Sequence, residues 1–315
     1  MKPRTATLLI HAILVGMLAL TLIPFLFMVN SALRDSSEFY HGTFGMPSAV
    51  RHLGRLGLDA LAGRDRPVVI TDELDNRHTV SRSEAARFYV GRLTAGTTLA
   101  WTVLRRYVLN SFLVSGLTAL GVCCLGSGTA YLLARYRFVG HRFVFTFILA
   151  TMVFPGVLTL VPSFLLVKEL GLLNTYGSMI LPYVAGGQVF AIFVFKSFFE
   201  GLSEELFESA RLDGAGHWSL YWHIVLPLSR PVFSVVIIMN ILGTWNNFLW
   251  PYIVNTDDRH HVVASGIYTM ASSTISSNPA TLYAAWTISS IPLLVLFIYA
   301  TKPFIRGLTS GALRA

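Results

Sequence analysis

Few side chains capable of covalent chemistry stand where a partner could help them. His11, Ser115 and Ser127 lie inside apolar runs, and no spacing sets a nucleophile beside a base. Cys123 and Cys124 are adjacent. Neighbours rarely meet disulfide geometry, so they read as small buried thiols. His260 and His261 form a pair without the further ligands a metal site needs, so no metal is assigned. The chain has no Gly-Lys dipeptide and hence no phosphate loop of the G-x-x-x-x-G-K-[ST] type. It cannot hydrolyse ATP by that mechanism. Residues suited to binding remain. Trp245, Asn246 and Asn247 are consecutive; indole and amide groups stack on and hydrogen-bond to sugars, although asparagine in a membrane also bonds across helices. Both readings stay open. A second stretch, ESARLDGAGHWSLYWHIVLP from Glu208 to Pro227, carries charges, glycines and a terminal proline between long apolar runs.

These residues must be positioned by a membrane bundle. Of 315 residues, 54% are hydrophobic and 13% charged, against about 25% charged in soluble domains. The net charge of +8 is not concentrated in Lys/Arg runs, so no nucleic-acid partner is expected. Six segments are long and apolar enough to span a bilayer: 8–29, 109–133, 143–166, 178–196, 229–254 and 281–301. The first reads as a retained anchor, too long in its apolar part for a cleaved signal. Lys2 and Arg4 precede it, Arg135, Arg137 and Arg142 fill the turn between the second and third, and Lys302, Arg306 and Arg314 follow the sixth. All fall on one side if both termini are cytoplasmic. Arg105 and Arg106 oppose this, but they belong to a long loop, and long loops cross largely regardless of charge. The Glu208–Pro227 stretch is then cytoplasmic.

The spacing predicts two short helices in that stretch. Ser203 is the expected N-cap, with Glu204 and Glu205 in the first turn. Glu208 and Arg211 are one turn apart and suited to pairing. Gly214 and Gly216 suit a C-cap and turn. The second piece, HWSLYWHIVL, would lie on the membrane surface, anchored by Trp218, Tyr221 and Trp222. The loop around 59–98 mixes both charges and reads either as a small folded insertion or as a solvated connector. The loop 255–280 is rich in Ser, Thr and Asn; it reads as a flexible connector or a surface that contacts a sugar or a protein.

The pattern Glu208, Ser209, Ala210, three residues, Gly214, nine residues, Ile224, one residue, Leu226, Pro227 resembles the "EAA" loop of the integral-membrane subunits of bacterial ATP-binding-cassette importers. Ser209 stands where that pattern has its first alanine. RRYVLNSFLVS, LVKELGLLNTYGSMILPY, WNNFLWPYIV and the tail FIRGLTSGALRA are similar to the maltose-type permeases of its carbohydrate branch. The resemblance implies an all-α membrane protein with the MetI-like permease fold. It would have six transmembrane helices and a long external loop between helices 1 and 2. Residues 1–30 would be an anchor helix and 31–108 the external loop, with an insertion near 59–98 that typical members lack. Residues 109–315 would form the core, with a cytoplasmic coupling loop at 203–227 and an external loop at 255–280.

Glu208, Ser209, Ala210 and Gly214 would then shape the contact with an ATPase, and Ile224, Leu226 and Pro227 would seat the loop. The implied partners are a second permease, an ATP-binding-cassette ATPase dimer, an external or periplasmic sugar-binding protein and membrane lipid. The chain itself would carry no cofactor; ATP and Mg would bind in the ATPase. The location would be the bacterial plasma (inner) membrane. A non-sugar solute is the alternative. An ion-coupled secondary transporter fits less well, because the expected span interiors lack Asp, Glu, Lys and Arg.

Overall fold

The computed structural model describes residues 3–39, 42, 44–64, 66–71, 76–272 and 278–312. Lys2, Asp65, Arg314 and the side chains of Arg4, Lys302 and Arg306 lie outside the described residues, as does 273–277 of the expected external loop. The chain forms two compact units, 1–105 with 267–291, and 106–266 with 292–315.

In the first unit, α1 (Pro3–Ala32) is apolar along most of its length, and its end packs in the chain, where Ser31 and Ala32 are buried and Phe27 meets Phe44 and Tyr283. After a 3-10 turn, α2 (Ser48–Leu61) is amphipathic. Its residues Ala49, Leu53 and Leu56 recur on one face and pack with Ile70, Ala85 and Tyr89. Strands β1 (Val68–Thr71) and β2 (Arg77–Val80) pair antiparallel, with Val68 opposite Val80 and Thr71 opposite Arg77. The helix α3 (Arg82–Arg135) starts at a reciprocal cap. The Ser81 N–H and hydroxyl donate to Glu84 Oε2 at 2.9 and 2.7 Å, and the Glu84 N–H donates back to Ser81 Oγ at 3.4 Å. The expected loop 31–108 is therefore not a loop throughout: it contains α2, the hairpin and, from Arg82 on, helix.

In the second unit, α3 packs on α6 (Gly177–Glu200) through small residues. A Cβ at Gly121 would lie 2.8 Å from Val184, at Gly126 2.9 Å from Ala191, and at Gly187 2.7 Å from Val122. Small residues let backbones approach where lipid offers no hydrophobic drive. Between these helices in sequence run α4 (His141–Ala150) and α5 (Leu160–Glu169). The expected span 143–166 is thus divided. Pro155 lies in the gap, and a proline lacks the N–H that would continue the ladder. The expected span 229–254 is divided as well, into α10 (Arg230–Trp245) and α11 (Leu249–Val254). There the Asn247 side chain accepts the Trp250 N–H at 3.2 Å and starts a new helix. The remaining elements are α7 (Glu204–Leu212), α8 (His217–Leu220), α9 (Leu226–Leu228), α12 (Val263–Ser272) and α13 (Pro279–Ala312). The helix α12 replaces part of the connector expected at 255–280. Among the described residues four helices are long and apolar enough to cross a membrane, and a fifth if the bent pair His217–Leu228 and Arg230–Trp245 counts as one.

Candidate functional site

The loop 203–227 is a folded knob. Ser203 occupies the N-cap of α7, although its side chain caps no N–H. The helix ends at Asp213, and Gly214 follows at φ +85°, a left-handed conformation that glycine adopts freely. The Gly214 N–H donates to the Arg211 carbonyl at 3.0 Å and the Ala215 N–H to the Ala210 carbonyl at 2.9 Å. This pair of bonds is the Schellman closure of a helix end. It gives a physical reason for the four-residue step from Ala210 to Gly214: the carbonyl that must be satisfied lies one turn before the left-handed residue. Ala210 and Ala215 both pack against the buried cluster below.

That cluster holds the knob to the bundle. Phe207 is fully buried beside Phe195, Phe199, Leu220, Tyr221 and Val225, with Ile224 and Leu226 packed at its edge. Arg135, the last residue of α3, ties the base together. Its Nη2 donates to the Phe199 and Leu202 carbonyls at 2.8 and 2.9 Å, and its Nη1 meets Glu204 at 2.7 Å. The guanidinium lies over the Phe207 ring at 3.9 Å. The sequence marks Arg135 only as one of several basic residues near a span end. The carbonyls it donates to lie 64 and 67 residues on, so no local pattern marks it. Two details of the expected loop change. Arg211 pairs with Glu204, at 3.2 Å, rather than with Glu208. Tyr221 is no surface anchor; it is buried and its hydroxyl bonds Ser127 Oγ at 2.6 Å. Trp218 and Trp222 are exposed, as expected.

Beyond α8 the chain makes a π-helical turn, Tyr221–Val225, then α9, and bends by 75° into α10. Tyr136 bonds His217 Nδ1, and Tyr131 donates to the His217 carbonyl at 3.3 Å. The knob's outward face carries Glu205, Glu208, Ser209 and Gly214, with Leu206, Leu212 and Trp218 among them. Pro227 is exposed at the rim. Nothing lies within 4 Å of a Cβ built at Gly214.

The residues read as sugar-facing separate. Trp245 is buried and meets Phe112 edge-on at 5.1 Å. Asn247 caps α11. Asn246 is exposed and its amide donates to the Leu242 carbonyl at 2.9 Å.

Two other asparagines fix the 255–262 segment. Asn174, at φ +59°, accepts the Thr256 and Asp257 N–H groups at 2.7 and 3.2 Å. Asn110 donates to the Arg259 and His261 carbonyls, both at 2.8 Å, and accepts from the Tyr176 hydroxyl at 2.8 Å. Both lie in stretches that the sequence singles out, yet their role is invisible without the fold. His261 is 3% exposed, and burial holds its imidazole below the usual histidine range despite Asp258 and Asp257 nearby.

Residues 124–313 match the family described as the binding-protein-dependent transport system inner membrane component. The diacetylchitobiose uptake system permease protein NgcG of Streptomyces coelicolor is 37% identical over 186 residues, 59% of this chain and 62% of that protein. The arabinooligosaccharides transport system permease protein AraQ of Halalkalibacterium halodurans is 34% identical over 188 residues, 60% of this chain and 66% of that protein. The matches therefore span just under two thirds of these relatives. A bacterial ABC transporter involved in the import of the acidic polysaccharide alginate contains a chain of the same fold. It has a TM-score of 0.67 at 16% identity and covers 96% of this chain and 98% of its own. With the family pattern covering most of its length and the knob of residues 203–227 inside it, this chain belongs to the family of binding-protein-dependent transport system inner membrane components.

Proposed function

We propose that the chain is a transport subunit, not an enzyme: the membrane-spanning permease of an ATP-driven importer, moving a sugar or oligosaccharide delivered by an external binding protein into the cytoplasm. The observation that carries this is the knob. Its inner face is fixed by Phe207, Tyr221 and Arg135, while its outer face leaves Leu206, Leu212 and Trp218 uncovered beside Glu205 and Glu208. A rigid, partly apolar protrusion suits a cleft on a partner. The partner is an ATPase dimer, which holds the ATP and Mg that this chain has no loop to bind. Movement of the knob would reach the bundle through the 75° bend into α10, a two-state switch of packed elements. A second permease completes the path. Six spans with both termini cytoplasmic complete the reading, with α4 and α5 together forming the third and α10 and α11 the fifth. The names of the relatives support a saccharide as the solute.

The test is Gly214→Asp. The left-handed backbone costs a non-glycine residue about 1–2 kcal/mol. The space around Gly214 is open within the chain, so the fold persists. A second carboxylate beside Asp213, buried unpaired in a partner's cleft, costs several kcal/mol. The complex purified from detergent should lose its ATPase subunit and its stimulated hydrolysis. Full ATPase content with wild-type uptake would show that the knob is not the coupling element.

A further inference from the structure

The first unit holds a cavity of about 290 Å³ lined by Arg55, Arg64, Arg66 and Arg82, with Asp59 the one acid among the described residues that line it. The fold gathers these charges. The helix α2 closes at Gly63, φ +64°, with the Arg64 N–H on the Asp59 carbonyl at 2.9 Å. This reversal brings Arg64 and Arg66 back to the cavity that Arg55 lines. Arg82, at the start of α3, donates to the Arg64 carbonyl and secures the return. Among the described residues Asp59 meets Arg64, at 3.9 Å, with both side chains more than half exposed. Arg55 and Arg66 have no ion-pair partner among the described residues.

The same cavity has a flat wall. The His52 imidazole lies parallel on the Tyr89 ring, 4.6 Å between centroids and 5° between planes. Tyr89 is 6% exposed and set in the unit's core, so the platform is fixed from below. Burial, then Arg55 and Arg51, hold His52 below its ordinary range. Guanidinium forks match carboxylate geometry and stay charged at any working pH. A flat ring presents an apolar face to the C–H side of a pyranose. The volume lies at the small end of ligand sites.

We propose that this cavity binds an acidic saccharide, its carboxylate between Arg55 and Arg66 and its ring against His52. The proposal stands without the import reading, because it is a statement about binding. The test is calorimetric titration of the purified full chain in detergent with digalacturonic acid, neutral galactobiose and glucose 6-phosphate. The uronate should bind at least tenfold more tightly than galactobiose, and more weakly as salt rises. R55A/R66A should weaken it at least tenfold with an unchanged circular dichroism spectrum, and R51A, outside the cavity lining, should not. Absence of uronate binding, equal binding of galactobiose, or indifference to R55A/R66A would each overturn the proposal. Tenfold tighter binding of glucose 6-phosphate would overturn the carboxylate assignment. If no saccharide binds and R55E/R66E instead weakens an acidic binding protein, the cavity is a protein-docking surface and the proposal fails.

Discussion

Replacing Arg135 with leucine should release α7 from the end of α6. Leucine keeps much of the apolar volume but removes two hydrogen bonds from a charged donor to the Phe199 and Leu202 carbonyls. Such bonds contribute about 1.5–3 kcal/mol each; the lower figure applies here because Leu202 is only half-buried. The contact over the Phe207 ring adds about 1 kcal/mol. The Glu204 pair adds little, since that side chain is 52% exposed. The total is about 4 kcal/mol, local to the knob. Local opening governs amide exchange, and each 1.4 kcal/mol is about a tenfold change in an opening equilibrium. Amides of Glu204–Leu212 should therefore exchange two to three orders of magnitude faster in the variant. Those in the middle of α6 should keep their protection. Mass-spectrometric hydrogen exchange of the purified chain reads both at once. Exchange in α7 within about threefold of the wild type would refute the assignment of Arg135 as the clamp.

Asn174→Gly keeps a residue that tolerates the left-handed backbone but removes the acceptor for the Thr256 and Asp257 N–H groups. Those two amides should lose about 1 kcal/mol of protection each, read as roughly fivefold faster exchange. His261, its imidazole held by burial below the unfolded value of 6.5, binds its proton more readily unfolded than folded. Its contribution is complete above about pH 6.5 and declines as pH falls below that value, ceasing to change once the folded group has titrated. Thermal unfolding between pH 7 and 5 should therefore slope less in His261→Gln than in the wild type; equal slopes would contradict this.

How far these features could be read from the sequence differs by residue. The knob is legible because charge interrupts apolar runs, and because Gly214 follows Ala210 at the distance a helix closure requires. The breaks after Val153 and Trp245 are not, since Pro155 and Asn247 sit in runs as apolar as a continuous span. Residues 82–108 read as a loop because Arg87, Arg92, Arg105 and Arg106 dilute the apolar pattern; the cap at Ser81 and Glu84 was the signal for a helix there. Arg135 and Tyr221 are defined by partners 64 and 94 residues away, which no local pattern reveals. The same holds for Asn110, whose carbonyl partners lie 149 and 151 residues on.

The π-helical turn at Tyr221–Val225 makes segment length, and not only residue identity, a constraint on this chain. Such a turn holds one residue more than the α-helix around it. The turn already absorbs that extra residue. A further residue inserted between Gly214 and Ile224 would have no second such turn to take it up, and everything on one side would rotate by about 100° relative to the other, carrying Tyr221 away from Ser127 or the exposed tryptophans into the bundle. Substitutions in the motif, such as the serine at 209, change one contact, whereas an insertion in this interval would reassign every face at once. The nine-residue interval in the motif is thus a ruler, and homologous chains should vary in the letters between its marks far more readily than in their number.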